Sequence, residues 1–527
     1  MSKRNRHWMV LLVAAPAVAL GCLLCLGGSG RAASTDDAVA TGRPPQLHPD
    51  YSDAVIPPNI APLNFQVRES GSRYRVRIRS QQGRPIEIVS RSDKIAIPER
   101  AWHELLDANR GGRVEFEVAL QPNGGGAWRR FDAFGCTIAR EDIDGYLAYR
   151  RIHPVHSAWR DMGIYQRDLR GFGESIILTG EYFGGGCVNC HTFCNQRTDT
   201  MLVSTRSKEY NNAATIIHDG TVEKVGATFG YSAWHPSGKI LVYHSAKIVM
   251  FEHAAGAEIR DVIDLDSYLA YYDVGSKTVK TTPALAQKDR LETYPTWSPD
   301  GRYLYFCRAP LTWTQRNVIP DQYDQIKYDL VRIPYDVERD AWGTPETVLS
   351  AKDTGQSVLE PRISPDGRWL LFCMCKYGCF PVYQQSSDLY LIDLEAAQRT
   401  GRYEYRRLEI NSDESESWHS WSSNSRWIAF SSKRENGTFT RTYLSYVDPN
   451  GVAHKPLLLP QKDPTHYDSC LWTYSVPELT TEAVKVTKEN LGRVVRGSRQ
   501  VNVQIPVTMA TPKAKPEASE PYISTRE

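Results

Sequence analysis

The chain predicts a mainly β protein: a β-propeller of about five blades, or six, preceded by a small β-sandwich-like domain and joined to it by a Cys-x-x-Cys-His junction. Three observations predict it. Tyr and Trp number 28 and 13, and Gly and Pro 37 and 31, a mixture that suits many short strands joined by turns. In the second half one pattern recurs at Tyr231 to Tyr243, Tyr294 to Phe306, Glu360 to Phe372 and Trp418 to Phe430. Each copy ends a strand on a large residue, turns through a Ser-Pro-Asp-Gly type sequence and leaves as an apolar strand. In the first half, apolar and charged residues alternate with the period of half-buried strands.

The elements follow in chain order. Lys3, Arg4 and Arg6, the uncharged stretch Trp8 to Gly28 and the small residues at Gly30 to Ser34 make residues 1–34 a signal peptide or membrane anchor. Ala19-Leu20-Gly21-Cys22 approximates a lipobox, although Cys22 and Cys25 read more simply as small apolar residues. Every version places the body of the protein in the periplasm, soluble or tied to the inner membrane by an uncleaved N-terminus.

Residues 50–141 are expected to form the β-sandwich-like domain. Tyr74, Val76 and Ile78 alternate with arginines, and Val114, Phe116, Val118 and Leu120 alternate in the same way. Between them Pro98 to Asn109 predicts a short helix with Trp102, Leu105 and Leu106 on one face. Residues 142–197 are expected to be a linker with helical character around Ser157 to Leu169. Its Gly184, Gly185 and Gly186 either let the backbone approach a flat ligand or give simple flexibility.

Residues 198–477 carry the repeats. Their interval of about 60 residues exceeds the roughly 40–45 of a plain four-stranded blade, so each unit must hold an insertion. Pro310 to Tyr328 is expected to be one such exposed loop. Met201 to Arg206 with Ala213 to His218 reads as a partial extra unit. Ser425 stands where the other three turns carry glycine, so the fourth turn is expected to differ in detail. Residues 478–527 read as a C-terminal extension, disordered from Ala510 onward.

Cys187-Val188-Asn189-Cys190-His191 is the string most informative about chemistry. Two thiols at this spacing can each add to one vinyl group of a haem, with the following histidine as proximal iron ligand. In a shuffled chain of this composition the string is expected on the order of 0.005 times. The reading is therefore haem c, held covalently by Cys187 and Cys190 and at the iron by His191. The alternatives are a Cys187–Cys190 disulfide, or a zinc site completed by His191 and Cys194. The distal ligand is left open among Met162, Met201, His218, His235, His244 and His419; structural hydrogen bonding is the expected role of His235 and His419. Cys194, Cys373, Cys375 and Cys379 stand apart from the motif; Cys375 and Cys379 are close enough in sequence to bridge, and a disulfide is expected ahead of a free buried thiol and a metal.

The repeats resemble those of the TolB-type, or WD40-like, propeller family. The order of Ile56-Pro-Pro-Asn-Ile-Ala-Pro-Leu-Asn-Phe65, Met162-Gly-Ile-Tyr-Gln-Arg167, Cys-x-x-Cys-His and Trp234-His-Pro-Ser-Gly238 resembles a group of exported bacterial TolB-like or cytochrome-c-like proteins. The resemblance implies fold and location more than activity. An ordinary c-type domain opens a compact helical fold with its motif, whereas here the propeller begins within about ten residues of His191.

A net charge of +2 without a Lys/Arg cluster sets nucleic acid aside. The lack of a Gly-x-Ser-x-Gly elbow argues against a hydrolase, and Asp413, Glu414 and Glu416 read as a solvated loop. The expected function is that of an exported monohaem c-type cytochrome-like protein, transferring electrons to a redox or envelope partner docked on the propeller. The alternative is a non-redox binding scaffold with a structural disulfide at the motif.

Overall fold

The computed structural model describes residues 38–154, 158–256 and 258–501; the expected leader and the tail from Ala510 lie outside them. The fold is mainly β. In the N-terminal region a seven-stranded sheet and the three-stranded sheet of Leu47–His48, Phe65–Val67 and Lys94–Ile95 share one core. On Arg73–Arg79 the residues Tyr74, Val76 and Ile78 turn inward and the arginines outward, as the alternation requires. Phe65 of the small sheet meets Phe116 and Phe134 of the large one at ring distances of 6.1 and 6.0 Å. The expected helix spans Glu99–Asp107, behind Pro98, and buries Trp102, Leu105 and Leu106. Folding begins before residue 50, because Val39–Ala40 pairs with Arg129–Arg130.

Among the described residues six antiparallel sheets follow, here numbered I to VI. Sheet I runs Thr473–Thr480, Tyr146–Ile152, Gly163–Asp168, Glu174–Thr179, so a strand from the far C-terminus leads three from near the start. Sheets II, III, V and VI are led by Cys187–Cys194, Ser232–Trp234, Ser357–Ile363 and Glu416–Trp421, each with three further strands in sequence order. Sheet IV, led by Arg290–Trp297, has five, two of them short strands on Asp329–Asp336. Each leading strand touches that of the next sheet, and Thr473–Thr480 touches both Glu416–Trp421 and Cys187–Cys194.

Several expectations are corrected by this arrangement. Residues 142–197 are not a linker: they supply three strands of sheet I and the leading strand of sheet II, and the stretch expected to be helical holds the strand Gly163–Asp168. Gly184 and Gly185 take the left-handed turn at φ 70° and 77° that glycine adopts readily, and a side chain at Gly186 would strike the ring of Phe183. Residue 477 is no boundary, because it lies inside Thr473–Thr480. Beyond it the helix Lys488–Arg496, capped by the Thr487 hydroxyl, buries Leu491 and Val495 in the core shared with Val188. Pro310 to Tyr328 is only partly exposed; Trp313 and Tyr328 are buried, and the Trp313 indole donates to the Leu265 carbonyl at 3.0 Å.

Ser425 does not change its turn. It adopts φ 61°, beside 72°, 71° and 79° for Gly238, Gly301 and Gly367. Its amide donates to Ser422 O at 3.0 Å, as the three glycines do to the residue three before them at 2.8 Å.

Candidate functional site

The leading strands share an irregularity that positions the site. In sheets I, II, IV, V and VI the ladder skips two residues: Val476-Pro477, Asn189-Cys190, Tyr294-Pro295, Glu360-Pro361 and Trp418-His419. A bulge of this kind re-aims side chains out of the regular alternation. Val476, Tyr294, Glu360 and Trp418 each take a positive φ of 48–53°. By register His191, Thr296, Arg362, Ser420 and Glu478 are the first residues paired after the bulge. The Cys-x-x-Cys-His string is thus a bulged strand: Cys187 and Val188 pair with Arg206 and Thr205, the next two residues leave the ladder, and His191 resumes it opposite Val203.

His191 is buried, 4% exposed, and both ring nitrogens lack a hydrogen-bond partner. Burial, reinforced by the charges of Arg362 and Arg150, depresses its pKa to about 3, so the ring is neutral. Cys187 and Cys190 are free thiols. Cys187 is buried 3.8 Å from the Arg150 guanidinium. Burial raises the Cys190 thiol above its ordinary range, against the pull of Arg150 and Arg206.

Aromatic rings gather beside the motif. Tyr231 stacks at 4.4 Å on Tyr294, 5.4 Å from His244 and 5.4 Å from Trp418, and Phe380 adds a ring 5.6 Å from Trp418. Over them reaches the long hairpin of sheet III, Ile240–Glu252 with Arg260–Asp273. From its tip Glu258 pairs with Lys433 beyond sheet VI at 2.5 Å, and Arg260 lies 4.7 Å over the Tyr383 ring. Arg362 of sheet V and Glu478 of sheet I, two sheets apart, pair at 3.3 Å. Glu478 also accepts the Phe193 amide of sheet II at 3.3 Å.

The residues left open as distal ligand lie in different surroundings, and His244 is the one that joins the aromatic cluster, 5.4 Å from Tyr231. Met201 is buried in the core with Phe193 and Val203, and Met162 is buried ahead of Gly163–Asp168. His218 stacks on Trp234. His235 is structural as expected: its ring contacts the Ser237 hydroxyl at 2.7 Å and the Gly301 carbonyl at 3.1 Å. His244 lies 3.3 Å from Asp264, and both side chains are buried.

His419 has different company. Its Nε2 lies 3.2 Å from the Leu371 carbonyl and its Nδ1 3.6 Å from Cys373 Sγ. That sulfur is 3.6 Å from Glu360 Oε2, which accepts the Trp418 amide at 2.6 Å; Glu360 Oε1 is buried without a partner. Burial raises the Glu360 carboxyl to about 7 and lowers His419 to about 3.

Sequence reading missed Glu360, although its signal was present. The repeat position it fills holds Tyr231, Tyr294 and Trp418 in the other copies. The expected Cys375–Cys379 bridge is corrected: both are free and buried, Cys375 Sγ contacting Tyr377 O at 3.2 Å and Cys379 Sγ contacting Val262 O at 3.6 Å. Glu416 is not solvated either. It is fully buried, bonded to Ser412, Ser432 and Arg434.

No family model matches the chain, and no curated protein does. Among solved structures it is similar to Kuenenia stuttgartiensis hydrazine synthase at 16% identity, over 50% of this chain and 64% of that one, with a TM-score of 0.30. It is similar to the Niastella koreensis GH74 enzyme at 12% identity, over 60% and 46%, with a TM-score of 0.36. The prolyl oligopeptidase B of Galerina marginata aligns at 12% identity, over 60% and 44%, with a TM-score of 0.34. The chain spans less than two thirds of each of these three, and likeness at this level assigns no family.

Proposed function

We propose that the six sheets form one six-bladed β-propeller of the TolB-like kind and that Cys187, Cys190 and His191 hold a single haem c at its centre, in an electron-transfer protein of the periplasm. Closure is supported by Thr473–Thr480, which joins the C-terminus to the first three strands and touches leading strands on both sides. The Arg362–Glu478 pair, made between sheets that are not neighbours, fits the same arrangement.

The observation that carries the haem reading is His191. A buried polar atom without a partner costs on the order of 1–3 kcal/mol, and here two such nitrogens share one ring, one residue from a free thiol and four from another. Ligation of iron through either nitrogen removes one of those penalties. The surroundings supply matching chemistry: the Tyr231 ring beside Cys190 would suit an apolar macrocycle, and Arg150 and Arg206 near the thiols would suit its carboxylates.

Bound haem would supply reversible one-electron chemistry at its iron. Cys187 and Cys190 would hold the group, each thiol adding its sulfur and its hydrogen across one vinyl double bond to give a thioether with no oxidant consumed. Burial keeps the His191 lone pair unprotonated at neutral pH. The guanidinium charges of Arg150 and Arg206 would favour the group's more reduced state. A redox or envelope protein would dock on the propeller.

The test is to express the full chain with export and haem-attachment machinery. One pyridine haemochrome per chain and a mass increase of roughly 616 Da are expected, both lost in Cys187→Ala/Cys190→Ala. A colourless protein overturns the proposal. If its mass is also about 2 Da low, the scaffold with a disulfide at the motif takes its place.

A further inference from the structure

We infer that Glu360, Cys373 and His419 form a second, independent metal site, for zinc or a similar borderline divalent transition metal, between sheets V and VI. The three donors come from two strands of sheet V and the leading strand of sheet VI, and one ligand atom from each lies within 4.8 Å of the others.

Geometry supports the assignment first. Zinc bound to sulfur at about 2.3 Å and to nitrogen or oxygen at about 2.0–2.1 Å, at tetrahedral angles, holds those ligand atoms about 3.5 Å apart. Cys373 Sγ lies 3.6 Å from His419 Nδ1 and 3.6 Å from Glu360 Oε2. These separations fit shared coordination, and they equally fit the S–H hydrogen bonds that the metal-free cluster makes and that an ion would replace.

Proton placement supports it next. The Leu371 carbonyl can only accept, so His419 carries its proton on Nε2 and presents the Nδ1 lone pair to the cluster. A backbone carbonyl fixing the tautomer of a ligating histidine is the usual outer-shell arrangement of such sites. The Trp418 amide orients Glu360 through Oε2, while Oε1 is buried and unpartnered.

Charge closes the argument. A divalent cation with one thiolate, one carboxylate and one neutral imidazole sums to zero, which suits a buried site. Binding releases the Cys373 proton, because the thiolate and not the thiol is the ligand. Affinity should therefore rise with pH. Three protein ligands leave a fourth position for a water or for the second Glu360 oxygen.

The site does not depend on the haem reading, and the experiment separates them. The full chain, treated with chelator, is titrated with cobalt(II) chloride under anaerobic conditions. One equivalent is expected, with the visible bands of tetrahedral cobalt and a thiolate-to-cobalt charge-transfer band in the near ultraviolet. The charge-transfer band should vanish in Cys373→Ser, and Glu360→Gln, which keeps the shape of the side chain, should weaken binding at least about tenfold. Cys187→Ala/Cys190→Ala, which removes the haem attachment, should bind cobalt unchanged. Failure to bind cobalt overturns the assignment. So does a thiolate band that survives Cys373→Ser and disappears with the Cys187 and Cys190 thiols, which would place the metal at the first motif. If Cys373→Ser does not fold, unchanged affinity in Glu360→Gln overturns it equally.

Discussion

His191 and His419 are both buried, both neutral, with pKa values near 3, and both sit at or beside the bulge of a leading strand, yet their surroundings differ in one respect. The chain itself satisfies Nε2 of His419, leaving one defined lone pair beside a thiol and a carboxyl. It satisfies neither nitrogen of His191. The first arrangement is preorganised for a small ion that needs a fixed direction. The second leaves its ring for a partner supplied from outside and anchored by other bonds, such as the thioethers of Cys187 and Cys190.

The largest effect that would break this contrast is all or none. Cys187→Ala/Cys190→Ala should remove all covalent haem, whereas Glu360→Gln and His419→Ala should leave it at one per chain; haemochrome absorbance after denaturation reads both. Loss of covalent haem in Glu360→Gln would merge the two sites into one.

Next in size is the acid response of the metal-free, haem-free protein. His191 and His419 have folded-state pKa values near 3 against an ordinary 6.5, so the unfolded chain binds more protons between those values. Each histidine contributes stability that is full above pH 6.5 and is lost toward pH 3, by about 1.4 kcal/mol per pH unit. Glu360 acts oppositely: raised from 4.5 to about 7, it favours the folded state at low pH and loses that contribution as pH rises between them. Between pH 4.5 and 6.5 it should therefore cancel one histidine. Glu360→Gln should steepen the loss of urea resistance in this window, and His191→Met should flatten it; parallel curves for all three proteins would refute the assignment.

A smaller, sharper pair separates the histidines at neutral pH. His191→Met removes two unpartnered nitrogens and should stabilise the haem-free protein by about 1–2 kcal/mol, whereas His419→Met strips Leu371 O of its donor and should destabilise it by about 1–3 kcal/mol. Urea midpoints measure both, and shifts of the same sign would erase the distinction.

What the sequence made legible follows the range of the interactions involved. Sheets III to VI announced themselves because each carries its tight turn between adjacent strands. Sheet I did not, since Thr473–Thr480 pairs with Tyr146–Ile152 across more than half of the chain and no local hairpin signals it. Sheet II was half legible: Met201 to Arg206 and Ala213 to His218, which lie in its middle strands, read as a partial unit, while its start did not. Its turn is Asn195-Gln196, at φ 49° and 56°, with neither proline nor glycine, and its leading strand was read for its cysteines instead of its pairing. The attachment motif and His419 were legible as residues, but the company of His419 was not. Cys373 and Glu360 reach it only through the packing of sheet VI on sheet V, and the one local clue was a carboxylate where the sister repeats place an aromatic ring.

The finest test concerns Ser425, the non-glycine residue among four equivalent turns. A left-handed conformation costs an ordinary residue roughly 1–2 kcal/mol, yet here the Ser425 hydroxyl accepts the Asp366 amide of the neighbouring sheet's turn at 2.9 Å. That bond is worth about 0.5–1.5 kcal/mol, so the strain and the contact nearly offset each other. Ser425→Gly should therefore change stability by less than about 0.5 kcal/mol, trading one for the other, while Ser425→Ala keeps the strain and loses the bond, costing about 1 kcal/mol or more. The two substitutions differ by a single methyl group. A glycine variant as damaged as the alanine one would mean that the link between the turns of sheets V and VI, and not backbone conformation, decides what this position tolerates.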